Sequence, residues 1–273
     1  MKFSKTNVRS FRKYIFDWWE SNKRDLPWRH THDPYKILVS EIMLQQTQVL
    51  RVLPKYREFI ERYPTVYELS NTSIADVIRM WKGLGYNRRA LNLQKSAHMI
   101  VHDFNGVFPK DEKKLLKLPG VGLYTARAIL VFAYKQDVSM VDTNIRRILT
   151  HYFFHDKEQS PKVIQSFADT IVPKGKSWEW HQALMDYGSS QEFTKIHPPT
   201  RRVVKSSIPF KDTTRFMRGR IIDLLRDGHM QEALLIQTCT SNYNKASEFI
   251  IGQIDALIRE KLVSRFDGVL RLG

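Results

Sequence analysis

The stretch Leu118-Pro119-Gly120-Val121-Gly122-Leu123-Tyr124-Thr125-Ala126-Arg127 decides how the rest of the chain is read. Its two glycines follow a proline and lie two residues apart. They allow a tight turn and let the backbone come close to a partner. Tyr124–Tyr134 carries helical apolar spacing, so the turn leads into a helix. The first N–H groups of that helix point outward without intrahelical partners. A phosphate fits there, directly or through a bound cation. Taken alone, the string is equally a plain connector between two helices.

Composition narrows the partner. Among 273 residues there are 44 Lys and Arg against 28 Asp and Glu, a formal net charge of +16. Hydrophobic residues make up 42% and aromatics 12%, enough to bury a core and to exclude a disordered chain. Such a charge implies a polyanion: a nucleic acid or an anionic membrane surface. No apolar run reaches the roughly 20 residues of a membrane span. Met1–Lys5 is followed by Asn7, Arg9, Arg12 and Lys13 in place of the apolar core of a secretory signal. No membrane role is expected, and nucleic acid is favoured. A single cysteine, Cys239, excludes an internal disulfide, a four-cysteine zinc site and a cysteine-ligated iron–sulfur cluster. An intracellular setting, cytoplasm and nucleoid or a nucleus, is expected.

The first two hundred residues read as a string of helices. Apolar residues recur three and four apart in Phe11–Trp19, Ile37–Val49, Ile74–Trp81, Leu91–Ile100, Tyr124–Tyr134 and Ile145–Phe153. His32-Asp33-Pro34, Tyr63-Pro64, Gly83-Leu84-Gly85 and Asn105-Gly106 punctuate them, and Asp33-Pro34 suits an N-cap and first helical position. Near residue 195 the composition changes. Pro198, Pro199, Arg201, Arg202, Lys205, Pro209 and Lys211 read as a basic linker. Beyond it, Arg215–Leu225 and Ala246–Leu262 are helical, and Asp267-Gly268 between two β-prone runs signals a hairpin. Helices closed by one hairpin resemble a winged helix. The expected domains are therefore 1–200, with the glycine turn at about 115–133, a linker at 201–212, and a winged-helix-like module at 213–273. The module is only mildly basic, so docking a protein partner competes with binding DNA. Its deletion from residue 204 onward is expected to weaken mismatch affinity more than it harms the fold of 1–195.

Two carboxylates carry the candidate chemistry. Glu41 interrupts an apolar helix in Val39-Ser40-Glu41-Ile42-Met43-Leu44-Gln45-Gln46-Thr47. An acid among Ile, Leu and Met is either paired or functional, because burying its charge is costly. Asp142, in Val141-Asp142-Thr143-Asn144, can cap the helix that follows or assist Glu41.

Arg24-Asp25-Leu26-Pro27-Trp28-Arg29, Asp33-Pro34-Tyr35, Ser40–Thr47, Gly83-Leu84-Gly85-Tyr86, the 118–122 turn, Val141–Asn144 and Gln182-Ala183-Leu184-Met185-Asp186 occur in one order. Over residues 5–195 the chain resembles the adenine DNA glycosylases of the MutY type, within the helix-hairpin-helix superfamily that includes endonuclease III. The resemblance implies an all-α helix-hairpin-helix glycosylase fold, two helical subdomains around a cleft, with the small C-terminal α+β module appended. It also implies an enzyme that flips a mispaired adenine out of double-stranded DNA and hydrolyses its glycosidic bond in base excision repair. A monomer is expected.

The resemblance assigns roles by position. Glu41 is the general acid and Asp142 stabilises the oxocarbenium-like sugar. Asn144 is hydrogen-bonded within the pocket. Tyr124 stands where bifunctional relatives carry a Schiff-base lysine, and a phenol cannot form that imine, so a monofunctional enzyme leaving an abasic site is expected. Arg29 and Gln182 contact the extruded base, and Arg24 lines the same pocket. Gln46 and Tyr86 are wedges that fill or flank the gap in the duplex. Leu118, Gly120, Val121, Gly122 and Thr125 form the backbone anchor, where a monovalent cation can sit.

The chain departs from that pattern twice. Where the family carries four cluster-ligating cysteines, Gly188-Ser189-Ser190-Gln191-Glu192-Phe193-Thr194-Lys195-Ile196-His197 has none. No cofactor is expected, and Trp178, Trp180 and Phe193 are expected to hold the segment by packing. His181 and His197 read as structural groups and not as ligands. In addition, residues 213–273 are too short for the family's Nudix-like lesion-reading domain. Two other readings stay open: a thymine or uracil glycosylase acting on G·T and G·U pairs, and a non-catalytic DNA-binding protein.

Overall fold

The computed structural model describes residues 5–196 and 208–273. The helices run α1 (Lys5–Asn22), α2 (Pro34–Leu44), α3 (Val49–Arg62), α4 (Val66–Asn71), α5 (Ile74–Met80), α6 (Arg88–Asp103) and α7 (Glu112–Leu115). They continue with α8 (Leu123–Tyr134), α9 (Thr143–Phe154), α10 (Pro161–Thr170), α11 (Ser177–Ser189) and α12 (Gln191–Ile196). The C-terminal part adds α13 (Thr214–Leu224), β1 (Met230–Gln231), α14 (Glu232–Tyr243), α15 (Ser247–Arg259), β2 (Val263–Phe266) and β3 (Val269–Leu272). No helix is long and apolar enough to cross a membrane among the described residues.

By packing, the chain forms two compact units: residues 1–42 with 108–201, and residues 43–107 with 202–273. This division differs from the expected succession of domain, linker and module, because the C-terminal residues join a core made by residues 43–107.

The first unit is helical. Phe11, Ile15 and Trp19 line one face of α1 and meet Ile145, Ile148 and Leu149 of α9 and Trp180, Ala183 and Leu184 of α11. Each such side chain contributes about 2 kcal/mol of burial. Asp33 caps α2, its carboxylate accepting from the Tyr35 N–H at 2.9 Å. Phe193 holds α12: it is 2% exposed, lies 5.2 Å from the Tyr187 ring and carries the Arg147 guanidinium above it. Glu192 adds a hydrogen bond from Trp18 Nε1 at 2.9 Å. Of the three aromatics expected at this segment, the two tryptophans serve elsewhere. Trp180 packs on Phe11 and Phe16, and Trp178 on Trp19.

In the second unit Ile78 of α5 and Leu91 of α6 share one core with Met217, Ile221, Leu235, Ile254 and Leu270. Arg226 is buried and donates to the carbonyls of Ile78 and Arg79, while Arg79 Nε donates to the Arg226 carbonyl at 2.9 Å. The module is therefore part of a core, so its deletion also uncovers residues within 1–195. β2 and β3 form the foreseen hairpin, with Asp267 and Gly268 at φ of +48° and +71°. Two positive φ values are what a type I′ turn requires. β1 was not foreseen. It pairs antiparallel with β3, giving the order β1-β3-β2.

The helix expected over Ile37–Val49 is two helices. It stops at Leu44 and restarts at Val49, with Gln46 at φ +53° between them. Of the expected linker, residues 201–207 lie outside the described residues, as do Pro198, Pro199 and His197. Phe210–Asp212 forms a single 3₁₀ turn.

Candidate active site

In the first unit, Glu41 lies one turn before the end of α2 among Ile37, Leu38 and Ile42 and is 6% exposed. Burial raises its pKa to about 7; the nearby Asp142 charge adds to the shift and a hydrogen bond with the Tyr124 hydroxyl opposes it. Tyr124 stands in the first turn of α8 and sits well above the ordinary phenol range. Burial is the main cause, followed by the charges of Glu41 and Asp142. The structure thus brings Glu41, Tyr124 and Asp142 together.

Asp142 caps α9, accepting from the Ile145 N–H at 2.7 Å and from Asn144 Nδ2 at 3.4 Å. Burial raises its pKa, and the bonds from Ile145 and Asn144 and the Arg147 charge hold it down. Capping and candidate chemistry thus fall on the same carboxylate. Asn144 is itself held, accepting from Arg147 Nη1 at 3.3 Å. Gly188 of α11 permits this arrangement, since a Cβ there would stand 2.8 Å from the Asn144 Cβ and 2.9 Å from Ile148 Cδ1.

Gln182 of α11 is 3% exposed, and its Oε1 is buried without a hydrogen-bond partner among the described residues. An orphaned amide acceptor at such a site awaits a donor. One turn on, Asp186 organises the two arginines. Arg29 donates to it from both terminal nitrogens at 2.7 and 2.8 Å, Arg24 Nε donates at 2.5 Å, and Trp19 Nε1 donates at 2.9 Å. Burial pushes the Asp186 carboxyl up, but the Arg29 hydrogen bond and the arginine charges outweigh it, so its pKa lies below the usual range. Arg29 Nε is buried and has no partner among the described residues. The sequence reading assigned Asp186 no role. Its signal was its place four residues after Gln182, on the same helix face.

His181 is structural. Its Nε2 accepts from the Met140 N–H at 3.1 Å, and its Nδ1 donates to the Ser177 carbonyl at 2.7 Å. Burial pushes its pKa down to about 4, so it is neutral.

The glycine turn joins α7 to α8. Leu118, Val121 and Thr125 face inward, at 2%, 7% and 3% exposure. Gly120 takes φ +78°, and the Val121 N–H closes the turn on the Leu118 carbonyl at 3.1 Å. Gly122 caps α8 without any side chain, and nothing lies within 4 Å of where its Cβ would be. The start of α8 is therefore open to an anion.

The wedge candidates lie in the second unit. Gln46 and Tyr86 are both exposed and both left-handed, at φ +53° and +48°. Buried Arg89 ties their loops together. Its Nη1 donates to the carbonyls of Met43 (2.8 Å) and Gln45 (2.6 Å), and its Nη2 to Thr47 Oγ1 (3.1 Å), Leu84 O (3.1 Å) and Gly85 O (3.2 Å). Burial lowers its pKa to about 10, so it remains charged at neutral pH. Sequence reasoning missed Arg89, because a single arginine in a helix carries no pattern.

An all-helical unit with an open glycine hairpin and a buried acid beside a helix-capping aspartate defines a class, and the comparisons agree. The model of the HhH-GPD superfamily base excision DNA repair proteins matches residues 39–174, and the chain belongs to that superfamily. Within it, the chain is 34% identical over 280 residues to the adenine DNA glycosylase of Mycobacterium tuberculosis, covering 92% of this chain and 91% of that protein. It is also 34% identical over 179 residues to a thymine/uracil-DNA glycosylase of Methanothermobacter thermautotrophicus, covering 64% and 81%. A solved thermostable thymine-DNA glycosylase superposes with a TM-score of 0.64 at 32% identity, over 67% of this chain and 87% of that one.

Proposed function

We propose that the protein is a monofunctional adenine DNA glycosylase of base excision repair. The observation that carries this reading is Glu41, a buried carboxyl close to Tyr124 and Asp142, with its pKa raised to about 7. Near neutral pH Glu41 can hold a proton, and the Asp142 carboxylate, whose charge adds to that shift, is bonded at a helix N-terminus.

The steps follow from these two states. Glu41 gives its proton to N7 of an adenine flipped out of its duplex. The C1′–N9 bond breaks, its electron pair leaves with the base, and the Asp142 carboxylate faces the positive sugar. Water then adds to C1′ as the ionised Glu41 takes its proton. Adenine and an abasic site result. Tyr124 has no amine to form an imine, so no strand cleavage follows. Gln182 Oε1 suits the exocyclic amino group of adenine, a donor that thymine lacks at the matching edge. Arg24 and Arg29, oriented by Asp186, are assigned to the same base pocket. Gln46 and Tyr86 fill the gap in the duplex, and the open start of α8 takes a backbone phosphate, directly or through a monovalent cation. Residues 188–197 offer no thiolate, so they do not fit a cysteine-ligated cluster, and no step depends on one.

The likeness to thymine glycosylases keeps one rival reading. The test is single-turnover base release from duplexes with a central A·G, A·8-oxoguanine, T·G or U·G pair, followed by alkaline cleavage. Adenine release supports the reading. Release of thymine or uracil alone overturns it and leaves the two-carboxylate chemistry standing.

A further inference from the structure

The glycine-turn stretch ends on Arg127, which the proposed chemistry does not use. Its guanidinium leaves α8 and is shared by three parts of the first unit. Nε donates to Glu112 Oε2 of α7 at 2.6 Å. Nη1 donates to Asp169 Oδ1 of α10 at 2.8 Å and to the Ser139 carbonyl at 3.0 Å. The side chain is only 16% exposed. An ordinary ion pair would need no more than the two carboxylates. The backbone carbonyl is the informative partner.

Ser139 lies in the connection from α8 to α9, three residues before Asp142, where no helix or strand supplies backbone partners. Ser139 and Met140 are buried, so side chains must meet their N–H and C=O groups. Arg127 and Gln165 Nε2 both donate to the Ser139 carbonyl, at 3.0 and 3.1 Å. The Ser139 hydroxyl donates to Asp169 Oδ1 at 2.6 Å. His181 Nε2 accepts from the Met140 N–H at 3.1 Å. The strap is thus gripped from α8, α10 and α11 just before Asp142 caps α9. Three residues span at most about 10 Å, so a shift at Ser139 reaches the carboxylate with little slack. The hold that a carboxylate has on a nearby positive charge falls as the distance grows.

We propose that Arg127 is a positioning residue for base release: by holding the Ser139 carbonyl it fixes where the Asp142 carboxylate stands. Glu112 and Asp169 in turn fix the guanidinium from two helices. Arg127 acts through the strap and not on the base. This rests on the proposed function only in giving Asp142 a positive sugar to face.

The test uses the full chain and two readouts. The first is hydrogen exchange, by NMR, of the Ile145 N–H, which donates to Asp142 Oδ1 at 2.7 Å. The Trp180 N–H, bonded to the Lys176 carbonyl at 2.9 Å, is the reference. Arg127→Met is expected to speed Ile145 exchange about tenfold relative to Trp180. The second readout is binding of duplexes with a cationic pyrrolidine or a neutral tetrahydrofuran ring in place of the target sugar. Wild type is expected to prefer the cationic ring. Arg127→Met is expected to lose about tenfold of that preference while binding the neutral duplex within about threefold of wild type. Arg127→Lys keeps a charge for Glu112 and Asp169 without the planar fork, so near-wild-type melting and an intermediate loss in both readouts are expected. Should Arg127→Met fail to fold, Arg127→Lys carries the test. Equal loss of protection at Ile145 and Trp180 would make Arg127 a plain structural ion pair and overturn the proposal. So would either readout staying at its wild-type value in both variants. If wild type releases no base and does not prefer the cationic ring, the proposed function fails, and Ile145 exchange alone decides whether Arg127 places Asp142.

Discussion

In the first unit, Glu41, Asp142 and Asp186 are drawn out of water and set against tyrosine, a helix start and two arginines. In the second, Arg51, Arg88 and Arg215 stand at a groove with no acidic partner of their own among the described residues. Burial gives carboxyls altered proton affinities, which is what proton transfer needs. Exposure leaves cations ready for a large anion, which is what holding a strand needs. On the proposed reading, chemistry falls to one unit and grip to the other, and each can be disturbed separately.

The largest effect should come from the acid. Glu41→Gln should lower single-turnover base release by about a thousandfold while duplex affinity stays within a few-fold. The same variant should be more stable. A carboxyl whose folded pKa is raised binds its proton more tightly when folded, so its ionisation works against folding. That penalty is absent below the unfolded pKa of 4.5 and complete above about 7. Denaturant unfolding at pH 8 should therefore show a gain of about 3 kcal/mol for Glu41→Gln, and none at pH 4. In wild type the rate should fall about tenfold per pH unit above 7, as the proton donor is lost.

Deleting residues 204–273 should come next. It uncovers Ile78 and Leu91 and removes the Arg226 bridge. Two-step thermal unfolding or aggregation is expected, monitored by circular dichroism; an unchanged transition would return the module to independence. Arg89→Met should be smaller, about 2 kcal/mol of stability and a tenfold loss in DNA affinity, since five oxygens lose one cation. Base release at saturating DNA should suffer less than binding, which would sharpen the division between units. Gly188→Ala should be smallest. It presses on Asn144 and Ile148 and should cost about 1–2 kcal/mol with a few-fold slower release.

The sequence was informative where local chemistry repeats itself. The glycine turn, the Asp33 cap, the Asp142 cap and the Asp267-Gly268 hairpin each follow from residues a few positions apart. It was silent where long-range contacts decide. The Ile37–Val49 periodicity runs on through Gln45–Gln48, yet the helix breaks there, because Arg89 takes the Met43 and Gln45 carbonyls. Helix α14 escaped notice because its apolar residues are spread around its surface and only Leu235 and Cys239 are buried. Glu41 was legible as an acid out of place. Asp186 is not legible from its neighbours, since its meaning lies in two arginines more than 150 positions away.

The second unit is stitched from residues 43–107 and 202–273, and synthesis is vectorial. A ribosome adding about 5–20 residues per second takes on the order of 5–20 s to make the hundred or so residues between the two pieces. Throughout that interval Ile78 and Leu91 have no cover, and the carbonyls of Ile78 and Arg79 wait for Arg226. The nascent chain thus carries a greasy, half-built surface while its first unit is still emerging. Its yield in a cell should depend on chaperones that shield such surfaces, and slowing translation after residue 107 should lower it.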